Sequence, residues 1–105
     1  PDAARMAAHA GQAAALLKAL AHPTRLLVLC RLVEGEAPVG ALQSLTDLSP
    51  SALSQHLAVL RQMALVTTRR DGVAIHYALA DTPALGVLKA LHDAYCNDTP
   101  EMPHA

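Results

Sequence analysis

Residues 48–60, with the sequence LSPSALSQHLAVL, contain the most informative pattern for the fold of this chain. Ser49 is a typical residue for the position before a helix and Pro50 for the first helical position, so a helix is predicted to begin there. Leucines recur at helical spacing within the stretch and are expected to face a core: Leu53, Leu57 and Leu60. Small polar residues remain for the outward face of this helix.

Pro and Gly punctuation divides the rest of the chain into further elements. Besides the helix from Pro50, helices are predicted over residues 3–21, 23–33, 38–45 and 82–96. After Ala64 the spacing of the apolar residues changes and predicts two strands, at 65–70 and 73–79. Asp71-Gly72 between them is predicted to form a two-residue hairpin turn. The order α-α-α-α-β-β-α makes the fold mainly α, with the layout of a winged helix-turn-helix.

Composition supports a helical domain. The chain has 105 residues, of which 22 are Ala and 18 are Leu, with two Tyr and no Phe or Trp. We expect one domain over residues 1–105, in which 97–105 form a loose tail. The apolar fraction of 52% excludes a disordered chain, and two cysteines are too few for a disulfide scaffold. Because such small side chains build a small core, we also expect a homodimer.

The sequence lacks the signatures of membrane proteins, secreted proteins and several enzyme classes. No apolar run reaches the roughly 18–20 residues of a membrane span, and no signal pattern opens the chain, so we expect a cytoplasmic protein with reduced thiols and no membrane partner. The sequence contains no glycine-rich phosphate loop, HExxH pair or GxSxG elbow. We therefore expect neither an enzyme nor a bound cofactor.

The helix from Pro50 suits a DNA major groove, which is about 12 Å wide and favours small or hydrogen-bonding side chains. Gln pairs well with an adenine edge, and Ser donates to bases or phosphates. Arginines near the hairpin tip are placed to reach phosphates or a minor groove. The candidate DNA-binding residues are Ser49, Ser51, Ser54, Gln55, His56, Arg61, Arg69 and Arg70. The alternative at this point is a solvated helix beside an ordinary hairpin.

The distribution of charge supports the DNA interpretation although the net charge is −1. Residues 1–48 are neutral, residues 49–80 carry +2 and residues 81–105 carry −3. The positive part therefore coincides with the predicted DNA-binding helix and hairpin. Because +2 is modest, we expect salt-dependent binding that needs two protomers.

Three strings together resemble the ArsR family of small dimeric winged-helix repressors: ALAHPTRL (19–26), LSPSALSQHLAVL (48–60) and RRDG (69–72). The likeness extends from about residue 14 to residue 95. It implies a homodimer built from the first and last helices, bound to double-stranded operator DNA and released by an inducer. Many relatives carry a basic residue after the hairpin Gly, where this chain has Val73, which weakens the hairpin tip as a DNA anchor.

The resemblance makes metal sensing the first alternative. For this alternative the sequence offers few metal-ligating residues. The stretch that usually holds a thiolate site, residues 39–45, has no soft ligand. The last helix offers only Asp81, His92 and Asp93, of which the last two are adjacent and point in different directions. Two cysteines alone do not complete a zinc site, so we expect no bound metal.

The two cysteines, Cys30 and Cys96, are the remaining candidates for a sensor. In the expected fold the end of the last helix packs over the helix at 23–33, which brings the thiols towards each other. This pairing resembles the persulfide-responsive branch of the family, the SqrR and BigR type. The resemblance implies an inducer that is a persulfide or polysulfide, and a sulfur-containing bridge between Cys30 and Cys96 that lowers operator affinity and derepresses sulfide-metabolism genes.

Other interpretations stay open on sequence alone. Both cysteines are also consistent with inert, buried small hydrophobes in a repressor that answers to another inducer. A thiol enzyme would need a base and a pocket that no motif indicates. A winged helix that binds protein, or that plays an architectural role, is a further alternative.

Overall fold

The computed structural model describes residues 2–96, in which helices pack against a small antiparallel sheet. The elements are α1 (Ala3–Ala7), α2 (Ala10–Leu20), α3 (Pro23–Val33), β1 (Ala37–Pro38), α4 (Val39–Gln43), α5 (Pro50–Gln62), β2 (Val66–Asp71), β3 (Ala74–Leu79) and α6 (Ala84–Cys96). This is a winged helix-turn-helix, so the predicted fold class is confirmed. The expected tail at 97–105 lies outside the described residues, and the single domain over 1–105 stays a prediction.

The N-terminal segment differs from the single helix predicted over residues 3–21. It forms two helices, α1 and α2, separated at Ala8 and His9. At this break the amides of Ala8 and His9 donate to the carbonyls of Arg5 and Met6, three residues back, so the i→i−4 ladder is interrupted. The Ala-rich pattern contains no capping residue that marks this change.

A third strand, β1, was not predicted. Its two residues pair antiparallel with β3, Ala37 opposite Tyr77 and Pro38 opposite His76, which gives the strand order β1-β3-β2. Two residues are too few for a period-2 pattern, and Pro is acceptable only because β1 is an edge strand. The predicted order α-α-α-α-β-β-α is therefore corrected by one extra helix and one short strand.

The hairpin turn lies one residue later than predicted. Asp71 pairs with Ala74, so the two turn residues are Gly72 and Val73 rather than Asp71 and Gly72. Gly72 has a φ of +66°, and a positive φ at the first turn position is what a Gly-X hairpin turn requires. The correction places Val73, which is 98% exposed, at the tip of the wing.

The core lies where α3, α5, α6 and the sheet meet. Its members are mostly leucines and include Leu53, Leu57 and Leu60 of α5, as predicted, together with Leu29 of α3 and Leu88 of α6. Burial of these side chains fixes the rotation of α5 and thereby turns its polar residues outward. The same packing places the C-terminal half of α3 against α6, where both cysteines lie.

No single helix within residues 2–96 has the length and apolarity to cross a membrane. Only α2 and α3 taken together meet that length and composition, and they are bent by 98° at their junction.

Candidate nucleic-acid interface and thiol pair

The start of α5 is fixed by Ser49. Its Oγ accepts a hydrogen bond from the backbone N–H of Ala52 at 3.2 Å, and Pro50 occupies the first turn. Ser49 Oγ also lies 3.4 Å from Ser51 Oγ, and both residues are exposed. A capped helix N-terminus with hydroxyls and free N–H groups is suited to a phosphate of the DNA backbone.

One face of α5 is polar and exposed along its length. Ser51, Ser54, Gln55 and Arg61, four of the predicted DNA-binding residues, are all exposed and lie on this face. Gln62, which the sequence analysis did not single out, continues it one turn beyond Ala58, which is also exposed. The i, i+3, i+7 spacing of Gln55, Ala58 and Gln62 is the signal that would have identified it.

His56 lies on a different side of α5 from these residues. It is half-buried, and its ring packs on the ring of His22 with centroids 4.1 Å apart. Arg25 Nη1 lies 3.3 Å from His56 Nδ1. Burial first, then the neighbouring His22 and Arg25, lower the pKa of His56 below its ordinary value. The structure thus directs His56 towards the body of the protein.

Arg25 connects the end of α2 to α5. Its Nε donates to the carbonyl of Ala19 at 2.6 Å, and its Nη2 donates to the carbonyl of Lys18 at 3.3 Å. Since a guanidinium is always protonated and only donates, His56 Nδ1 is the acceptor in their contact, which leaves the imidazole proton on Nε2. The candidate DNA-recognition helix, α5, is therefore tied to the α2–α3 corner by Arg25, whose role the sequence did not indicate.

The two wing arginines have different surroundings. Arg69 donates from Nε and Nη2 to both carboxylate oxygens of Glu36, at 2.8 and 2.7 Å. This hydrogen bonding lowers the pKa of Glu36 and raises that of Arg69. Successive strand residues face opposite sides, so Arg70 points away from Glu36. Among the residues described, no carboxylate lies within 4.0 Å of the Arg70 guanidinium.

The thiols lie at the contact between α3 and α6. Cys30 is half-buried against the core, and Cys96, the last residue of α6, is exposed. Burial, and secondly the proximity of Cys96, raise the pKa of Cys30. A cavity of about 360 Å³ borders Cys30 and is lined on the α6 side by His92 and Asp93, one helical turn before Cys96.

Possible metal ligands within residues 2–96 do not cluster. In this part of the chain, His, Cys, Asp and Glu side chains do not form a group of three that would hold a metal ion. The cysteines are both free thiols.

A capped helix with an exposed polar face, followed by a basic hairpin, defines a winged helix-turn-helix DNA-binding protein. Residues 22–68 match the profile described as "Bacterial regulatory protein, arsR family". The chain belongs to this family, and it is a DNA-binding transcriptional regulator rather than an enzyme.

Individual relatives cover most of the chain. The transcriptional activator HlyU of Vibrio cholerae is 44% identical over 91 residues, which make up 87% of this chain and 84% of HlyU. The biofilm growth-associated repressor of Agrobacterium fabrum is 43% identical over 91 residues, 87% of this chain and 78% of the repressor. The crystal structure of the transcriptional repressor BigR from Xylella fastidiosa aligns with a TM-score of 0.85 at 40% identity, covering 91% of this chain and 98% of BigR.

Proposed function

We propose that this regulator is a homodimeric repressor that leaves its operator when persulfides or polysulfides join Cys30 to Cys96 through added sulfur. The observation that carries the proposal is the placement of one free thiol on α3 and the other on α6, close enough that Cys96 raises the pKa of Cys30. The likeness to the BigR repressor supports it.

The DNA contacts follow from the exposed face of α5. Ser51, Ser54 and Gln55 enter the major groove and read base edges. Ser49 at the helix N-terminus, with Arg61 and Arg70, binds phosphates. Arg69 contributes less because Glu36 already neutralises it, and His56 acts by holding α5 in place through Arg25.

Exposed apolar side chains on the first and last helices support the dimer. Met6 of α1, Leu17 of α2 and Tyr95 of α6 are 56%, 55% and 84% exposed. A largely apolar groove of about 720 Å³ runs between α2 and the start of α6 and includes Leu16 and Val87. A second copy related by two-fold symmetry would cover these surfaces and place two recognition helices on one operator.

The proposed chemistry balances without an outside oxidant. A cysteine thiolate attacks the terminal sulfur of a persulfide RSSH, the S–S bond breaks, and RSH leaves with the proton, so the cysteine becomes a persulfide. After the second cysteine has reacted in the same way, one protein persulfide attacks the inner sulfur of the other and expels H₂S. The product is a trisulfide, and each further persulfide consumed adds one sulfur.

Geometry would give selectivity against peroxide. A plain disulfide needs Cα atoms within about 7 Å, whereas a tri- or tetrasulfide spans a longer gap with little strain. The bridge would join α6, an expected dimerisation helix, to α3, which also carries Arg25, the residue in contact with His56 of α5. Changing the spacing of the two recognition helices by this route requires only a few kcal/mol.

Peptide mass spectrometry tests this proposal. Reduced protein is treated with glutathione persulfide or with hydrogen peroxide, and with Zn²⁺ as a comparison, and is then digested. We expect a peptide pair linking Cys30 to Cys96 with whole extra sulfur atoms, formed only with persulfide. The variants Cys30→Ser and Cys96→Ser are the controls. Treated wild-type protein without such a linked pair would contradict the sensing proposal and leave the DNA-binding role intact.

A further inference from the structure

The cavity beside Cys30 has features of a small-molecule site. Its volume of about 360 Å³ is near the lower end of the usual range, roughly 300–1,000 Å³. The Cys30 thiol lies in its wall. The rest of the lining combines apolar surface with both charge signs: Val33, Glu34, Leu88, Lys89, His92 and Asp93.

We infer that this cavity binds a zwitterionic amino-acid persulfide, of which cysteine persulfide is the simplest, with its carboxylate at Lys89 and His92 and its ammonium group at Glu34 and Asp93. The inference rests on the proposed persulfide response and names the inducer class. An inorganic polysulfide dianion has no cation to offer the two carboxylates, and an apolar persulfide uses neither charge. Only an amino acid or small peptide carries both groups beside a persulfide sulfur.

Lys89 is available for such a ligand. Within residues 2–96 no carboxylate lies within 4.0 Å of its ammonium group, although Asp93 follows one turn later on the same helix. Glu34 is exposed and likewise has no cation within that distance in the described part of the chain. Neither charge has to break an existing ion pair to bind the ligand.

Binding of the persulfide in the cavity would also compensate for the low thiolate fraction of Cys30. Its raised pKa leaves little thiolate at neutral pH, and the thiolate is the attacking form. Holding the persulfide in the cavity raises its effective concentration at the thiol and so offsets the low thiolate fraction. The bound molecule then gives its terminal sulfur to Cys30, its S–S bond breaks, and the amino-acid thiol departs with the proton.

Four probes separate the charges of the ligand. Cysteine persulfide carries carboxylate and ammonium, mercaptopropionate persulfide only carboxylate, cysteamine persulfide only ammonium, and sodium tetrasulfide neither. The rate of Cys30–Cys96 bridge formation is measured with each on the full chain. We expect cysteine persulfide to react about tenfold faster than either probe with one matching charge, the factor that one charge-assisted hydrogen bond supplies, and to exceed sodium tetrasulfide by a larger factor.

Variants that remove a charge from the cavity test which residues bind the carboxylate and which bind the ammonium group of the persulfide. Lys89→Gln is expected to slow cysteine and mercaptopropionate persulfides and to leave cysteamine persulfide unchanged. Glu34→Gln combined with Asp93→Asn is expected to slow cysteine and cysteamine persulfides and to leave mercaptopropionate persulfide unchanged. Lys18→Gln, at an exposed lysine of α2, is the matched control and should alter no rate.

The outcomes separate the inference from the proposed function. If bridges form at equal rates with all four probes, or if Lys89→Gln slows every probe alike, charge recognition in the cavity is overturned while persulfide sensing stands. If no probe produces a sulfur bridge, the proposed function itself fails.

Discussion

Two arginines that the sequence presents as free cations are engaged within the fold. Arg25 donates hydrogen bonds to two carbonyls of α2 and contacts His56. Arg69 forms a two-bond ion pair with Glu36. His56 is 31 residues from Arg25 in the chain, and Glu36 is 33 residues from Arg69. No local sequence pattern therefore reveals either pair. The +2 charge of residues 49–80 therefore overstates what is available to DNA, because one of its arginines is neutralised by a residue outside the segment.

The salt dependence of DNA binding should distinguish the two wing arginines. Each lost phosphate contact removes about 0.9 from the slope of log K against log salt, so Arg70→Gln should reduce the slope of a dimer by about 2. Arg69→Gln should change it by less than half as much. Affinity is measured by fluorescence anisotropy between low and moderate salt, on a duplex selected from a random library with reduced protein. Equal changes for the two variants would show that Glu36 does not keep Arg69 from phosphates.

The surroundings of His56 predict a pH dependence of stability. Its pKa in the folded protein is below the ordinary value of 6.5, so below pH 6.5 the unfolded chain takes up protons more readily than the folded one. This contribution to stability is complete above pH 6.5 and is lost as the pH falls towards the folded pKa. Urea unfolding of wild type and His56→Gln at pH 5.5 and 7.5 checks it. We expect a smaller loss on acidification in the variant, and an identical loss would refute the assignment.

At the scale of elements, helix starts were predictable and short or interrupted elements were not. His22 and Ser49 cap α3 and α5 through side-chain acceptors, each followed by Pro, and both starts agree with the sequence. The break between α1 and α2 and the strand β1 have no such local signal. β1 exists because β3 offers it an edge, which is a tertiary condition.

The end of α5 contains a backbone strain that can be relieved. Ala64 has a φ of +57°, a conformation in which Gly is favoured at a helix C-terminus. Ala64→Gly should raise the free energy of unfolding by about 0.5–1 kcal/mol, after allowing for the greater freedom of Gly in the unfolded chain. The same change at exposed Ala58, within α5, should lower it by about 1 kcal/mol. Both variants are compared with wild type by thermal unfolding. Shifts of the same sign in the unfolding midpoint would contradict the strain assigned to Ala64.

At the scale of the whole molecule, the proposed function depends on surfaces that one chain leaves uncovered. The composition of small side chains predicted a partner copy, and we propose that it packs on the exposed apolar residues of α1, α2 and α6. The sequence also singled out Cys30 and Cys96, since only two cysteines are present. The charged cavity beside Cys30 was not foreseeable, because its walls come from the C-terminal end of α3 and the middle of α6, which are more than fifty residues apart in the chain.

The dimer surface can be tested with one exposed leucine. Leu17→Glu places a charge on the apolar face of α2, so we expect a monomer by analytical ultracentrifugation and at least about tenfold weaker binding to the selected duplex. Val73→Glu introduces the same charge at the exposed tip of the wing and should remain dimeric. A dimer that persists in Leu17→Glu would rule out this face.

The proposed thiol switch is tested by operator affinity measured on one preparation in three states: reduced, treated with glutathione persulfide, and treated with peroxide. We predict that persulfide weakens binding about tenfold or more, that dithiothreitol restores it, and that peroxide has little effect. Cys30→Ser and Cys96→Ser should bind DNA in all three states. Persulfide-treated wild-type protein that binds as tightly as reduced protein, or a cysteine variant released as readily as wild type, would contradict release of the operator by a sulfur bridge between Cys30 and Cys96.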